Sequence, residues 1–266
     1  MAMPPAKPRE GSAFADDVRQ SAEDAGVSAL ANGLDSCFRA LAKAAGAQEI
    51  TVPALIARST LESAGYFESF PGPLVGETAD GHCLSPATCY HWYAQQKGAV
   101  IEESASWTGC ALCGRKEVES GPGRLETFRM REVILAGSET WVREQRQEWM
   151  ARIVAFAESL LLAPTLVPAS DPFFERGEAR GRKLLQQLKQ LKYELRVPLY
   201  TPETTLAISS FNLHENFFAR RFNLHRVDGT WASTGCIAFG LERWALALSA
   251  KLGIDQARRL AGLECT

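Results

Sequence analysis

Two segments of the chain carry charged side chains at spacings with chemical meaning. The first, CALCGRKEVESGPGRLETFRMREVI, runs from Cys110 to Ile134. It reads as two short strands joined by the polar loop VESGPGRLE, whose Gly-Pro-Gly favours a turn. Side chains two apart on a strand share a face, which pairs Arg115 with Glu117 on the first strand and sets Arg129, Arg131 and Glu132 along the second. Such charges are costly if buried and unpaired. The pattern therefore has two readings: a solvated sheet face, or guanidinium groups gripping phosphate oxygens while a carboxylate orients them or binds a metal ion. The second segment, TGCIAFGLERWALAL, runs from Thr234 to Leu248 and reads as strand, glycine turn and helix, opened by Glu242 and Arg243. An Arg near a helix N-terminus opposes the macrodipole, so either an anion lies close by or the helix packs with one exposed Arg. Among the seven cysteines, Cys83-x5-Cys89 and Cys110-x2-Cys113 form a four-thiol set that could close a structural zinc site; buried apolar thiols are the alternative. His214, within SFNLHENFF, has two readings, a contact to a phosphate or a passing proton, or a hydrogen-bonded core residue, and a single His beside aromatics favours the second.

The elements that must position these residues are legible in outline. With 266 residues and 46% hydrophobic content, the chain can bury a large core in one domain. Lys and Arg number 29 against 31 Asp and Glu, so no global positive field exists to grip a polyanion. The stretch MAMPPAKPRE lacks the apolar run of a signal peptide, and no segment is long and apolar enough to span a membrane, so a cytoplasmic location is expected. Seven scattered cysteines suit reduced thiols or metal ligands better than a disulfide framework. Residues 1–24 are expected to form an arm, and 25–266 the single domain. From Val27 the apolar positions Leu30, Leu34, Phe38, Leu41 and Ala45 recur at helical spacing up to Gly46. EITVPALI turns extended, with Pro53 confining it to a sheet edge or a subunit contact. A helix is predicted over 138–162, capped by Ser138 and stopped by Pro164 and Pro168. RGRKLLQQLKQLKYEL reads as a basic amphipathic helix or a helix passing into a strand, and residues 206–211 as another strand.

Taken together, GAQEITVP and the two charged segments resemble motifs 1, 2 and 3 of class II aminoacyl-tRNA synthetases, in that order. AGYFESF and ISSFNLHENFFARRFNL resemble seryl-tRNA synthetases in particular. LSPATCYHWY, ASDPFFER, FRMRE, SFNLH and CIAFGLER resemble a truncated offshoot of these, the amino acid:[carrier protein] ligases. The resemblance covers about residues 30–250 and implies an α+β fold: an antiparallel six- or seven-stranded sheet flanked by helices, with motif 1 at a homodimer interface. It implies that Arg115 meets the ATP α-phosphate, that Phe128 stacks on adenine, that Arg243 closes the far side of the nucleotide and that Glu117 supports the motif 2 site. Arg124 is expected to reach the terminal phosphates, and Ser210 and Asn212 to contact nucleotide or metal. It further implies that Cys89, Glu132 and Cys236 bind zinc, three ligands leaving the fourth tetrahedral position open for a substrate amino group.

On this reading ATP and Mg²⁺ serve the activation of a small amino acid. The acceptor implied is the phosphopantetheine thiol of a carrier protein. About 25 residues before the core are too few for the tRNA-gripping domain of seryl-tRNA synthetases, so tRNA is not the expected acceptor. Carrier proteins of this kind are acidic, which makes the run Arg176, Arg180, Arg182, Lys183, Lys189 and Lys192 a candidate docking surface, against a solvated helix face. Gly114, where an aromatic usually precedes the motif 2 Arg, and Ala207, where seryl-tRNA synthetases carry an acid, depart from the pattern. A non-catalytic relative acting through protein contacts is thus the competing expectation; the retained arginines and metal donors favour an enzyme.

Overall fold

The computed structural model describes residues 25–70, 72–116, 121–169, 190–201 and 203–263. Helix α1 (Ala25–Ala44) presents Leu30, Leu34 and Phe38 on one face, all fully buried, and Gly46 turns the chain out of it with φ +83°. Beyond this turn the chain is strand for only two residues, β1 (Gln48–Glu49), paired in parallel with β5 (Ala105–Gly114). The extended run expected up to Pro53 is strand only at Gln48–Glu49, with one further ladder bond from Ile50 N–H to Thr108 O at 2.9 Å.

The remaining long strands form one antiparallel surface: β6 (Thr127–Gly137), β7 (Thr165–Pro168), β8 (Lys192–Pro198), β9 (Thr205–Glu215) and β11 (Ser233–Gly240) join β1 and β5 in the order β1-β5-β6-β11-β9-β8-β7. Two-residue strands β2 (Ile56–Ala57) with β3 (His82–Cys83), and β4 (Val100–Ile101) with β10 (His225–Arg226), make two small accessory sheets.

Alternation along the strands divides the packing. One face of the large sheet carries Val133, Leu135, Phe211, Leu213, Ile237 and Phe239 into the main core, covered by α1, α5 (Glu139–Ser159), α7 (Leu241–Leu252) and α8 (Ile254–Leu263). Phe38 stacks on Phe239 at 4.2 Å and meets Trp244 edge to face at 5.1 Å. Burying one such ring contributes about 1.5–3 kcal/mol. Helix α5 opens where the sequence places it, the Ser138 hydroxyl accepting the Trp141 N–H at 3.3 Å.

The other face is only partly covered. Helices α2 (Arg58–Ser63), α3 (Tyr66–Ser69), α4 (Cys89–Gln95) and α6 (Phe217–Phe222) lie towards it, and between them and the sheet runs the functional cavity. The loop over residues 72–87 reaches the sheet at Gly114, whose N–H donates to Ser85 O at 3.0 Å. A Cβ there would lie 2.7 Å from Val75 Cβ and 2.9 Å from Leu84 Cβ, so close backbone approach explains glycine where the resembling families carry an aromatic. Cys37, in α1, is disulfide-bonded, unlike the reduced state expected of it, whereas Cys83, Cys89, Cys110, Cys113 and Cys236 are free thiols. Among the described residues no helix is long and apolar enough to cross a membrane.

Candidate active site

Three strands and one helix bring the site together. On β6, β11 and β9 the even-numbered residues Phe128, Met130 and Glu132, Cys236 and Ala238, and Ser210, Asn212 and His214 line one cavity of about 740 Å³. The register fixes their spacing: Ala238 lies opposite Glu132, and Cys236 opposite Asn212, so Cys236 stands diagonally from Glu132. Cys89, the first residue of α4, enters from above and its backbone N–H donates to the Glu132 carboxylate.

The donor atoms of Cys89, Glu132 and Cys236 all lie within 4.8 Å of one another, and all three residues are buried. It is the one group of three or more metal-capable donors among the described residues. Each of its acids is perturbed in the same direction. The Cys89 thiol is pushed well above its usual range, by its hydrogen bond with Cys236 first and then by burial and the Glu132 charge. Cys236 also rises: the hydrogen bond from Cys89 pulls it down, but burial and Glu132 outweigh that pull. Burial raises Glu132, partly opposed by the Cys89 N–H. Burial and like charge favour the protonated forms of these three crowded acids, and a divalent cation would relieve that conflict. Two thiolates and a carboxylate are a donor set suited to zinc, so these residues fit that metal.

The four-cysteine alternative does not assemble. Cys110 and Cys113 are three apart on β5 and face opposite sides, Cys110 against the main core and Cys113 beside Ala111 and Met130. Cys83 sits in its own small cluster and donates to Ile56 O. Burial raises both β5 thiols to about 12.

At the other end of the cavity stand Arg115, Phe128 and Arg243. The Arg115 guanidinium lies 5.4 Å from the Phe128 ring, and its Nε donates to Pro86 O at 2.7 Å. Arg243, in the first turn of α7, donates from Nε to Gly123 O at 2.9 Å and from Nη1 to Ala207 O at 3.3 Å. Two guanidinium groups and an aromatic ring thus line one cavity, the chemistry that grips a phosphorylated base. Ser210 and Asn212 line the same cavity, but Asn212 Nδ2 is engaged with Ser210 Oγ at 3.1 Å and Cys236 Sγ at 3.4 Å. Arg124 lies in the turn between β5 and β6 with its N–H on Gly121 O, and is not among the residues lining the cavity. Glu117 lies outside the described residues, as does the basic run apart from Lys192.

Arg129 and Arg131, candidates for phosphate contact by sequence, point to the opposite face. Arg131 pairs with Asp35 of α1 at 2.5 and 3.0 Å; Arg129 pairs with Glu242 at 2.8 Å and with Asn32. The residue that the sequence reading leaves out of the site is His214. Its Nε2 lies 3.7 Å from Cys236 Sγ and its Nδ1 3.0 Å from the Tyr93 hydroxyl. The available signal is its spacing, two residues beyond Asn212 and hence on the same face of one strand.

Comparison with known proteins bears on the family and the fold. The chain is 32% identical over 257 residues to amino acid–[acyl-carrier-protein] ligase 1 of Bradyrhizobium diazoefficiens, covering 83% of this chain and 78% of that protein. Among solved structures, M. kandleri SerRS in complex with A. aeolicus tRNASec superposes with a TM-score of 0.72 at 22% identity, over 86% of this chain and 52% of that one. Seryl-tRNA synthetase from Pyrococcus horikoshii complexed with ATP gives 0.69 at 15% identity, over 85% and 51%. The chain thus spans about half the length of these synthetases, and the likeness establishes a class II synthetase-like α+β fold. No protein-family model matches the chain.

Proposed function

The chain belongs to the amino acid–[acyl-carrier-protein] ligases, and from that premise we propose that it activates a small amino acid, Gly or Ala, with ATP and transfers it to the phosphopantetheine thiol of a carrier protein. One observation carries this reading: the buried Cys89, Glu132 and Cys236 donors open into the same cavity as Arg115, Phe128 and Arg243. Phe128 offers a face for adenine, and Arg115 and Arg243 offset the phosphate charge on either side of it. Ser210 and Asn212 border the space between nucleotide and metal donors, Glu117 would support the motif 2 site, and Arg124 would reach the terminal phosphates from its loop. Zinc on the three donors would supply an open position for the neutral amino group of the substrate, while Mg²⁺ would shield the phosphates. Tyr90 and Phe218, edge to face at 5.8 Å, line the cavity together with Cys89 and would bound the side-chain end of the substrate.

The residues act mainly by positioning. With its amino end held at the donor cluster, the substrate carboxylate is directed at the α-phosphorus, and pyrophosphate leaves towards the arginines. The carrier thiol then attacks the adenylate carbonyl and AMP departs. We place this reaction in the cytoplasm, and the enzyme in a homodimer formed through the β1 edge. There Ile50 and Val52 pack over Gly109, a Cβ on which would meet them at 2.8–2.9 Å. The basic run from Arg176 to Lys192 would receive the acidic carrier.

The test is amino-acid-dependent exchange of pyrophosphate into ATP with Gly, Ala and Ser, followed by thioester formation on a phosphopantetheinylated carrier protein. Exchange with Gly or Ala is expected. Zinc-replete protein that supports exchange with no amino acid would make the chain a non-catalytic member, and charging of bulk tRNA would overturn the acceptor.

A further inference from the structure

The Cys236 sulfur has two sides. One faces Cys89 and Glu132; the other faces two nitrogen donors of β9, Asn212 Nδ2 at 3.4 Å and His214 Nε2 at 3.7 Å. Asn212 lies directly across from Cys236, and His214 comes two residues later at the bulge where the pairing passes from Leu213 to Glu215. Which His214 nitrogen carries the proton is set by its other neighbour. Tyr93 is fully buried, and its hydroxyl lies 3.0 Å from Nδ1. With the Tyr93 hydroxyl donating to Nδ1, the ring hydrogen sits on Nε2 and points at the sulfur. The imidazole is held edge-on to Phe218 at 4.9 Å, and Tyr93 is packed by Phe218 and Phe222 at 4.6 and 5.4 Å.

We infer that Tyr93 and His214 form a positioning relay that orients the Cys236 sulfur and stabilises its charge as a metal ligand. The inference rests on the reading of Cys89, Glu132 and Cys236 as metal donors. Cys89 and Tyr93 are one helical turn apart on α4, so this single helix supplies one sulfur directly and secures the other through His214. A thiolate in a buried site gains from N–H donors that disperse its charge, and the fixed tautomer ensures that a donor rather than a lone pair faces it.

The experiment measures zinc affinity by competition with a chelator, and the sulfur-to-cobalt charge-transfer band of the Co²⁺-loaded protein. His214→Leu is expected to weaken zinc binding by about tenfold to a hundredfold and to move the band to longer wavelength, because the sulfur lone pairs lose a donor. Tyr93→Phe, which frees Nδ1, should shift both readouts in the same direction by less. His214→Gln, which can still present an N–H, should restore most of both. If His214→Leu does not fold, the Tyr93→Phe and His214→Gln pair decides the matter. Zinc affinity and band position indistinguishable from the parent in the folded variants would overturn the relay while leaving the metal site standing. A parent protein that binds neither zinc nor cobalt would remove the metal reading and the relay with it.

Discussion

The two faces of strand β6 use charge in opposite ways. On one, Arg129 and Arg131 meet Glu242, Asn32 and Asp35, so each guanidinium has a complementary partner from α1 or α7. On the other, Glu132 is buried beside two thiols whose acidity conflicts with its own. Matched charge ties the sheet to its covering helices. Mismatched charge marks a place that requires something from outside the chain. Residues one apart on a single strand thus divide between architecture and chemistry according to what lies across from each face.

The comparison can be broken first at the mismatched face. Cys236→Ala should abolish stoichiometric zinc and lower amino-acid-dependent exchange by more than the roughly hundredfold cost of losing an outer-shell partner. Cys110→Ala should leave metal content unchanged; metal analysis of both folded proteins checks this. The second effect is pH dependence. All three donors hold protons above their usual ranges, so metal uptake must expel protons and zinc affinity falls as pH falls, about tenfold per unit for each proton released. Chelator competition across pH, with proton release measured alongside, tests that slope. For the metal-free fold the sign reverses. Raised folded values leave the thiols' contribution to stability intact below their ordinary 9.0, and it is lost as pH rises through the folded values.

The matched face should fail differently. Asp35→Ala strands Arg131, only 4% exposed, without its carboxylate. Because the Asp35 side chain is 26% exposed, the expected loss is about 3 kcal/mol, the low end for a broken buried pair, with zinc stoichiometry of the folded protein preserved. Urea unfolding with parallel metal analysis separates the two faces. Gly114→Ala, which forces a Cβ against Val75 and Leu84, should cost about 1–3 kcal/mol and is the smallest of these effects. A destabilising effect confined to the loop over residues 72–87 would show in local hydrogen exchange.

Much of this is legible from residues. The α1 stripe, the Ser138 cap, the β5–β6 hairpin and the strand-to-helix passage at β11 and α7 come from periodicity and turn chemistry, which are local. The partners of Arg129 and Arg131 are not, because strand alternation says which residues share a face and not what lies opposite. Asp35 is 96 residues away from Arg131. The convergence of Cys89, Glu132 and Cys236 is likewise invisible to spacing and rests on family resemblance; the four-cysteine set looks better by spacing, yet the β-pleat sends Cys110 and Cys113 to opposite sides. His214 reads as a core residue because a lone histidine among aromatics is one more often than not. Its place beside Cys236 depends on strand pairing that only the fold reveals.

X-ray absorption at the zinc edge, with and without glycine, tests the central claim most directly. Two sulfur neighbours at about 2.3 Å with nitrogen or oxygen ligands at about 2.0–2.2 Å, one of the lighter ligands changing when glycine is added, is the predicted result. Four sulfurs, an all-oxygen shell, or a spectrum unmoved by glycine would contradict it.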